Sequence, residues 1–370
     1  MNAYAAPVSA GRSGFRELKV VAKVRESATI SSFHLEPLEP AGWRPFEPGQ
    51  FLVFRIPVQD GNAFVLRNYS VSCSPRRQGS YRITVKREAA PSADVPDGVS
   101  SCYLHDHVEV GDVLLAEGPR GDFTLDGESK RPAVLLSGGV GLTPLVAMLH
   151  ALAATERKAF FIHACDNGVV HALRDEVEEV AASRSGMTVH FCYRFPTEKD
   201  RIAGRHHSEG VVTRELLQRL LPLDDYDFYL CGPSPFMRAV YGTLRGLGVP
   251  KQRISHEFFG PATLLETPAK AAPVELQPTA RAVSDEAPTV EFRKSRRTVV
   301  WDATAESLLA FAEDQGLSPE FSCRAGVCGT CKSRLISGEV DYFEEPLDEP
   351  PAGEVLLCCS KPRGSVILDI

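Results

Sequence analysis

Three cysteines at C-x4-C-x2-C (Cys323, Cys328, Cys331) and a Cys358-Cys359 pair downstream oblige the chain to fold so that four sulfurs converge on one centre. A cage of soft thiolates suits iron–sulfur or zinc. Zinc sites more often pair two C-x2-C units, and only one such unit is present. The x4-then-x2 spacing with a distant fourth cysteine is one that holds [2Fe–2S] clusters. Four unrelated buried thiols are the ordinary alternative, and this spacing argues against it. Gly326 and Gly329 permit positive φ, so that amide hydrogens can turn toward the sulfurs.

A chain of 370 residues has room for two or three domains with ample core. Ten cysteines are many, yet Met1 to Gly14 lacks an apolar signal-like run, so a reducing cytoplasm is expected, with thiols as ligands or free. Ala133 to Ala154 contains no Asp, Glu, Lys or Arg and could pass for a membrane span. Gly138, Gly139, Gly141 and Pro144 break it where a strand would hand over to a helix, so strand, loop and helix are expected and no membrane contact. From Asp285 onward 16 acidic residues face 9 basic ones, which accounts for the whole net charge of −7. That imbalance fits a solvated acidic surface or electrostatic steering toward a basic partner patch. Overall basicity and interleaved aromatics are missing, which argues against a nucleic-acid partner; Arg293-Lys294-Ser295-Arg296-Arg297 reads as a solvated hairpin.

Short alternating segments such as Leu18–Val24 and Tyr81–Lys86, punctuated by Glu47-Pro48-Gly49 and Val110-Gly111-Asp112, predict an antiparallel β-barrel over residues 13–126. Over 127–262, apolar runs (Ala133–Leu136, Phe160–His163, Val189–Tyr193, Phe228–Leu230) alternate with helical patterns at Ala172–Ala182 and Arg214–Leu221. This is an α/β parallel-sheet pattern. Residues 263–288 carry four prolines and many alanines and read as a semi-extended linker. An α+β piece follows at 289–370, completing a multidomain chain.

Arg67-Asn68-Tyr69-Ser70 sits on a barrel strand and offers a guanidinium fork for phosphate, a ring with a polar tip and a hydroxyl. Alone, four such residues are equally an ordinary strand. Val85-Lys86-Arg87-Glu88, Gly98-Val99-Ser100-Ser101-Cys102-Tyr103-Leu104-His105 and Gly118-Pro119-Arg120-Gly121-Asp122-Phe123 follow. In that order they resemble the flavin barrel of the ferredoxin–NADP reductase superfamily, most closely the reductase half of flavohemoglobins. The resemblance implies that Tyr69 packs on the isoalloxazine, Ser70 bonds its N5 edge and Arg67 holds phosphate. It places Ser101 on the pyrophosphate, favouring FAD over FMN, and adds Phe51, Asn68, Val85, Lys86 and Val99 to the flavin's surroundings.

Gly138-Gly139-Val140-Gly141-Leu142-Thr143-Pro144 lies between a strand and a helix, where glycines let amides approach a diphosphate at the helix N-terminus. Pro144 replaces the third glycine of G-x-G-x-x-G, which the first turn of a helix tolerates. This form resembles the nicotinamide site of the same superfamily, and Cys231-Gly232-Pro233 resembles its second element. His256-Glu257-Phe258-Phe259-Gly260-Pro261 is similar to the flavohemoglobin segment that closes over the flavin, which implies Glu257 and Phe259 near the ring. Tyr69, Ser70, Cys231 and Glu257 are therefore the expected catalytic set. The C-terminal piece resembles plant-type ferredoxins of β-grasp fold. Their pattern puts the fourth ligand four residues before a proline; Pro362 then selects Cys358 to join Cys323, Cys328 and Cys331. If the stretch is extended, Cys359 faces the other way.

A metal role for His105-Asp106-His107 or His206-His207 is not expected. Neighbouring strand residues point to opposite faces, and the resemblance puts His105 at a flavin-domain helix start. Cys73, Cys102, Cys165 and Cys192 read as small core hydrophobes. The module order looks like the reductase component of a multicomponent oxygenase, a monomer passing electrons from NADH through FAD and a [2Fe–2S] cluster of about −400 mV to a terminal oxygenase. Rival readings are a reductase for another acceptor, such as a hybrid-cluster protein, and a non-catalytic electron-transfer or redox-sensing subunit. Asp166, at the end of the second parallel strand, is placed to bond an adenosine 2′-hydroxyl and to repel a 2′-phosphate, which favours NADH over NADPH. Arg174 and Arg194 are the nearby cations that could oppose it.

Overall fold

A computed structural model describes residues 14–57, 64–89, 98–259, 288–317, 319–321, 326, 329–343, 346 and 349–370. The chain divides into two compact units, Met1–Phe259 and Gly260–Ile370. Of the expected linker only its last residue, Pro288, is described, and Cys323, Cys328, Gly260 and Pro261 also lie outside the described residues.

The first unit begins with β1 (Arg16–Arg25), β2 (Ile30–Pro37), β3 (Phe51–Pro57), β4 (Phe64–Ser70), β5 (Tyr81–Lys86), α1 (Val99–His107) and β6 (Val113–Arg120). The antiparallel strands run in the order β4-β3-β6-β1-β2-β5, and a bridge between Val71 and Ile83 joins the two ends into a barrel. Period-two alternation sends Leu18, Val20, Phe33, Leu35, Leu52, Phe54 and Ile56 inward. Burying each such side chain contributes about 1.5–3 kcal/mol. Gly49 and Gly111 take φ of +114° and +104°, as the two expected turns require. His105 lies in the last turn of α1, not at its start. Its Nε2 is 2.8 Å from Val85 O, which ties the end of α1 to strand β5.

The same unit continues with β7 (Ala133–Gly138), α2 (Leu142–Ala153), β8 (Ala159–Cys165), α3 (Arg174–Ala182), β9 (Met187–Tyr193), α4 (Glu198–Ile202), β10 (Ser208–Glu209), α5 (Arg214–Leu220), β11 (Asp227–Gly232), α6 (Ser234–Gly246) and β12 (Ile254–Phe258). All pairs are parallel, in the order β10-β9-β8-β7-β11-β12. Every residue of β7 is buried, because helices cover both faces of a parallel sheet. The uncharged run thus becomes a strand, a short turn and a 12-residue helix, and no helix among the described residues is long and apolar enough to cross a membrane. Strand order reverses at β7, which has β8 on one side and β11 on the other. Such a reversal opens a crevice beyond the strands' carboxyl ends.

The second unit contains β13 (Thr289–Phe292), β14 (Arg297–Val300), α7 (Leu308–Asp314), β15 (Lys332–Ser337), β16 (Val340–Tyr342), β17 (Glu354–Leu356), β18 (Ser360–Pro362) and β19 (Val366–Leu368). Its main sheet runs β14-β13-β19-β15-β17, with β13 and β19 parallel, in the β-grasp manner; β16 and β18 form a separate pair. Ser307 caps α7 by accepting from Ala310 N at 3.1 Å. Leu308, Leu309, Phe311 and Ala312 of that helix join the core with Phe292, Leu368 and Cys359. Arg293 to Arg296 form the turn between β13 and β14, with Arg296 at φ +53°.

Candidate functional site: a flavin wall, a nucleotide crevice and a thiol cluster

Strand β4 is first in the barrel's strand order and pairs with β3 so that Ser70 faces Phe51, Tyr69 faces Leu52 and Asn68 faces Val53. Two polar side-chain atoms of this strand, Asn68 Oδ1 and Ser70 Oγ, are buried without a hydrogen-bond partner. Burying such atoms costs about 1–3 kcal/mol each, so a planar cofactor with a polar edge fits here as the missing partner. Between them the Tyr69 hydroxyl is 2.9 Å from Ser100 Oγ, which fixes the ring; burial, more than this bond opposes it, pushes the phenol up to about 12. Tyr69 is therefore a neutral stacking surface. Phe51 lies under Gly121, where a Cβ would be 2.7 Å from its ring.

Around this wall, Val99 and Ser101 open α1. The Ser101 hydroxyl accepts from Glu88 N at 3.1 Å and donates to Gly98 O at 3.2 Å, so it is engaged by backbone and shapes the loop. Lys86 pairs with Glu88 at 2.9 Å. Arg67 donates to the neighbouring Leu66 O at 2.8 Å from an exposed position.

The two glycine elements meet backbone to backbone. Gly139 takes φ +54°, and Gly139 to Gly141 form a tight turn that leads directly into α2. Thr143 Oγ1 donates to Val140 O at 3.1 Å and Pro144 sits in the helix's first turn, where its missing N–H costs nothing. A Cβ on Gly141 would intrude on the backbone of Cys231 and lie 2.6 Å from Gly232 N. One on Gly138 or Gly232 would lie 2.8 Å from the ring of Phe236, which follows Pro233 on α6. These glycines are what let β7 and β11 end side by side and leave the helix-start amides facing the crevice.

Cys231 is wholly buried at the end of β11, and its register partner on β12 is Glu257. Burial, with the Glu257 charge adding to it, pushes the Cys231 thiol well up, so it stays protonated. Phe259 is 39% exposed just beyond β12, and the side chain of Phe258 is outside the described set.

Asp166 follows β8 and is held by Arg194, whose Nε donates to Oδ1 at 2.9 Å. Arg174 points elsewhere, to Glu178 at 2.7 Å. The loop is pinned by Asp200, which accepts from Gly168 N at 3.2 Å. His206 lies against Glu209 at 3.4 Å, and His207 Nδ1 accepts from Phe191 N at 2.9 Å, so neither points to a shared centre. Sequence reasoning gave no sign of His163 and His171, which stack with ring centroids 4.5 Å apart. Burial drives His163 down to about 3 and lowers His171, so both are neutral. Cys73, Cys102 and Cys192 are buried as expected, whereas Cys165 is partly exposed beside these histidines.

In the second unit Cys331 Sγ and Cys358 Sγ are 3.1 Å apart and buried, and Gly326 N donates to Cys358 Sγ at 3.4 Å. Gly326 and Gly329 take φ of +65° and +71°. Two apposed thiols with an amide turned on one of them fit iron–sulfur ligation. The premise that separated Cys358 from Cys359 does not hold. Leu357 to Cys359 form a 3-10 turn rather than a strand, and Cys359 Sγ also lies against Gly326, 2.9 Å from where a Cβ would be.

A flavin barrel, a nucleotide crevice at a strand-order reversal and a thiol pair in a β-grasp unit define a pyridine-nucleotide flavin and iron–sulfur oxidoreductase. Family models agree. Residues 17–125 match an oxidoreductase FAD-binding domain, 135–241 an oxidoreductase NAD-binding domain and 290–363 a 2Fe-2S iron-sulfur cluster binding domain. A flavohemoprotein of Bacillus thuringiensis subsp. konkukian is 42% identical over 264 residues, 71% of this chain and 65% of that protein. The chain thus spans less than two thirds of the flavohemoproteins it matches. The FAD/NAD-binding domain of nitric oxide dioxygenase from Vibrio cholerae O1 biovar El Tor is 35% identical with a TM-score of 0.60, covering 67% of this chain and all of that one. Phthalate dioxygenase reductase shares the fold of nearly the whole molecule: TM-score 0.55 at 24% identity, over 96% of this chain and 98% of the other. The chain belongs to the ferredoxin–NADP reductase superfamily, as a flavohemoprotein-like FAD/NAD module joined to a C-terminal [2Fe–2S] domain.

Proposed function

We propose that this protein is the NADH-dependent reductase of an oxygenase system, moving electrons from NADH to FAD, to the [2Fe–2S] cluster and on to a terminal oxygenase. The observation that carries the reading is the pair of orphaned buried atoms, Asn68 Oδ1 and Ser70 Oγ, flanking Tyr69 in a chain that also carries the crevice and the thiols. Bound FAD and cluster supply hydride acceptance and one-electron chemistry, which side chains cannot. The chain's own residues orient. Tyr69 supplies a neutral stacking face, Ser70 a hydrogen bond to the flavin edge, and the first turns of α1 and α2 supply amides for phosphates. Cys231 and Glu257, register partners near the ends of β11 and β12, would lie beside the nicotinamide. Cys323, Cys328, Cys331 and Cys358 would hold the cluster, of which the last two are apposed.

The oxygenase partner is supported by the fold shared over nearly the whole length with phthalate dioxygenase reductase, a modular protein for electron transfer from pyridine nucleotides to [2Fe-2S]. The acidic excess beyond Asp285 suits a basic docking face on that partner. The test is two-staged. NADH should bleach the flavin and support cytochrome c reduction by the purified holoprotein. Terminal oxygenases encoded beside the gene should then turn over only when it is added. Cytochrome c reduction without any oxygenase turnover would move the reading to another acceptor; no NADH-dependent reduction at all would end it.

A further inference from the structure

We propose that His163, Cys165 and His171, none of them assigned above to the flavin, the nucleotide or the cluster, form a site for a borderline-soft transition-metal ion in the nucleotide domain. His163 and Cys165 are two apart on β8, so strand periodicity puts both side chains on one face of the sheet, with Ser137 and Phe191 beside His163 and Tyr193 beside Cys165 in register. The segment after β8 brings His171 back over that face, edge-on to Phe191 and Tyr193. One donor atom from each of the three residues lies within 4.8 Å of the other two.

The hydrogen bonding is that of metal-binding imidazoles. His163 Nδ1 is 2.8 Å from Ser137 Oγ, and His171 Nδ1 is 2.8 Å from Tyr193 OH. Each Nε2 is buried and has no partner. An imidazole anchored through one nitrogen with the other left open is the usual orientation of a histidine ligand. Leaving two such buried nitrogens unsatisfied costs about 1–3 kcal/mol each. Two imidazoles and a thiol select zinc or copper over magnesium or calcium, whose ligands are oxygens. The neighbouring carboxylates do not compete, since Asp166 is paired with Arg194 and Asp200 with Thr197 and Gly168. A bound ion would brace the segment from Cys165 to His171, which carries Asp166.

The probe is zinc. Holoprotein with FAD and cluster in place is equilibrated with Zn2+, dialysed against metal-free buffer and assayed for zinc and iron, alongside Cys165→Ala and His171→Gln. Wild type should retain stoichiometric zinc with its iron content and visible spectrum unchanged. Each variant should keep its iron and flavin but bind zinc at least about tenfold more weakly. Zinc should also raise the unfolding midpoint of wild type, and not of the variants, by preferential binding to the folded state. Background zinc in wild type would assign the pocket to a trapped water and overturn the proposal. Equal zinc in wild type and in either variant that keeps its flavin would do the same, by placing the ion elsewhere.

Discussion

Replacing Glu176 by Gln tests what locks the barrel to the nucleotide sheet. Glu176 on α3 accepts from Arg82 of β5 through two bonds of 2.6 and 2.9 Å and from His150 of α2 at 2.7 Å. Arg82 is in turn held by Ser72, through its hydroxyl at 3.2 Å and its carbonyl. Burial opposes the carboxylate, but the bonds from His150 and Arg82 outweigh it and hold the carboxyl down to about 2 from an ordinary 4.5. Its side chain is one-quarter exposed and that of Arg82 9%, so solvent screens the group only in part. At 1.36 kcal/mol per pKa unit, the charged form contributes on the order of 3 kcal/mol, or about 2–3 after partial screening. The folded value lies below the unfolded one, so this stability is complete well above pH 4.5 and is lost as pH falls from there toward 2. Urea unfolding followed by circular dichroism should show Glu176→Gln about 2–3 kcal/mol less stable at pH 7, with the deficit roughly halved at pH 3. A deficit below about 1 kcal/mol at pH 7, or one that does not change with pH, would refute the reasoning.

Gly141→Ala puts a methyl into the Cys231 backbone, so the two glycine elements must part. We expect kcat/KM for NADH to fall by roughly 10²-fold while the flavin spectrum is kept, and unaltered kinetics would mean the crevice tolerates the shift. Cys358→Ser should lose the visible cluster spectrum and Cys359→Ser retain it, because Cys358 is the one set 3.1 Å from Cys331; the opposite pattern reverses the ligand choice. Wild type should show the higher kcat/KM with NADH. Asp166→Ala should erode that ratio toward NADPH by freeing Arg194, about 1–2 kcal/mol of discrimination, and steady-state kinetics with an unchanged ratio would remove Asp166 as its cause.

What the sequence determined by itself was whatever rests on backbone requirements. Gly139, Gly326 and Gly329 do need positive φ, and the close approach at Gly141 excludes a side chain, so these motifs carry their geometry with them. Alternation and apolar runs gave the barrel and the parallel sheet for the same local reason. Tertiary structure decided the pairings between side chains far apart in the chain. Arg82 and Glu176 are 94 residues apart and meet only once the folded chain has brought the end of one domain's sheet beside the other's helix. Arg194 was foreseen as a rival for phosphate, but its partner is Asp166, met across adjoining strand ends. The Ser101 hydroxyl meets Glu88 N, 13 residues back in the chain, as well as the nearby Gly98 O. Cys358 and Cys359 do not alternate as strand neighbours would, because the chain turns there and a turn obeys no period of two. His163 and His171 looked like nothing in the sequence, since a stack of two imidazoles over one sheet face exists only after the sheet has formed.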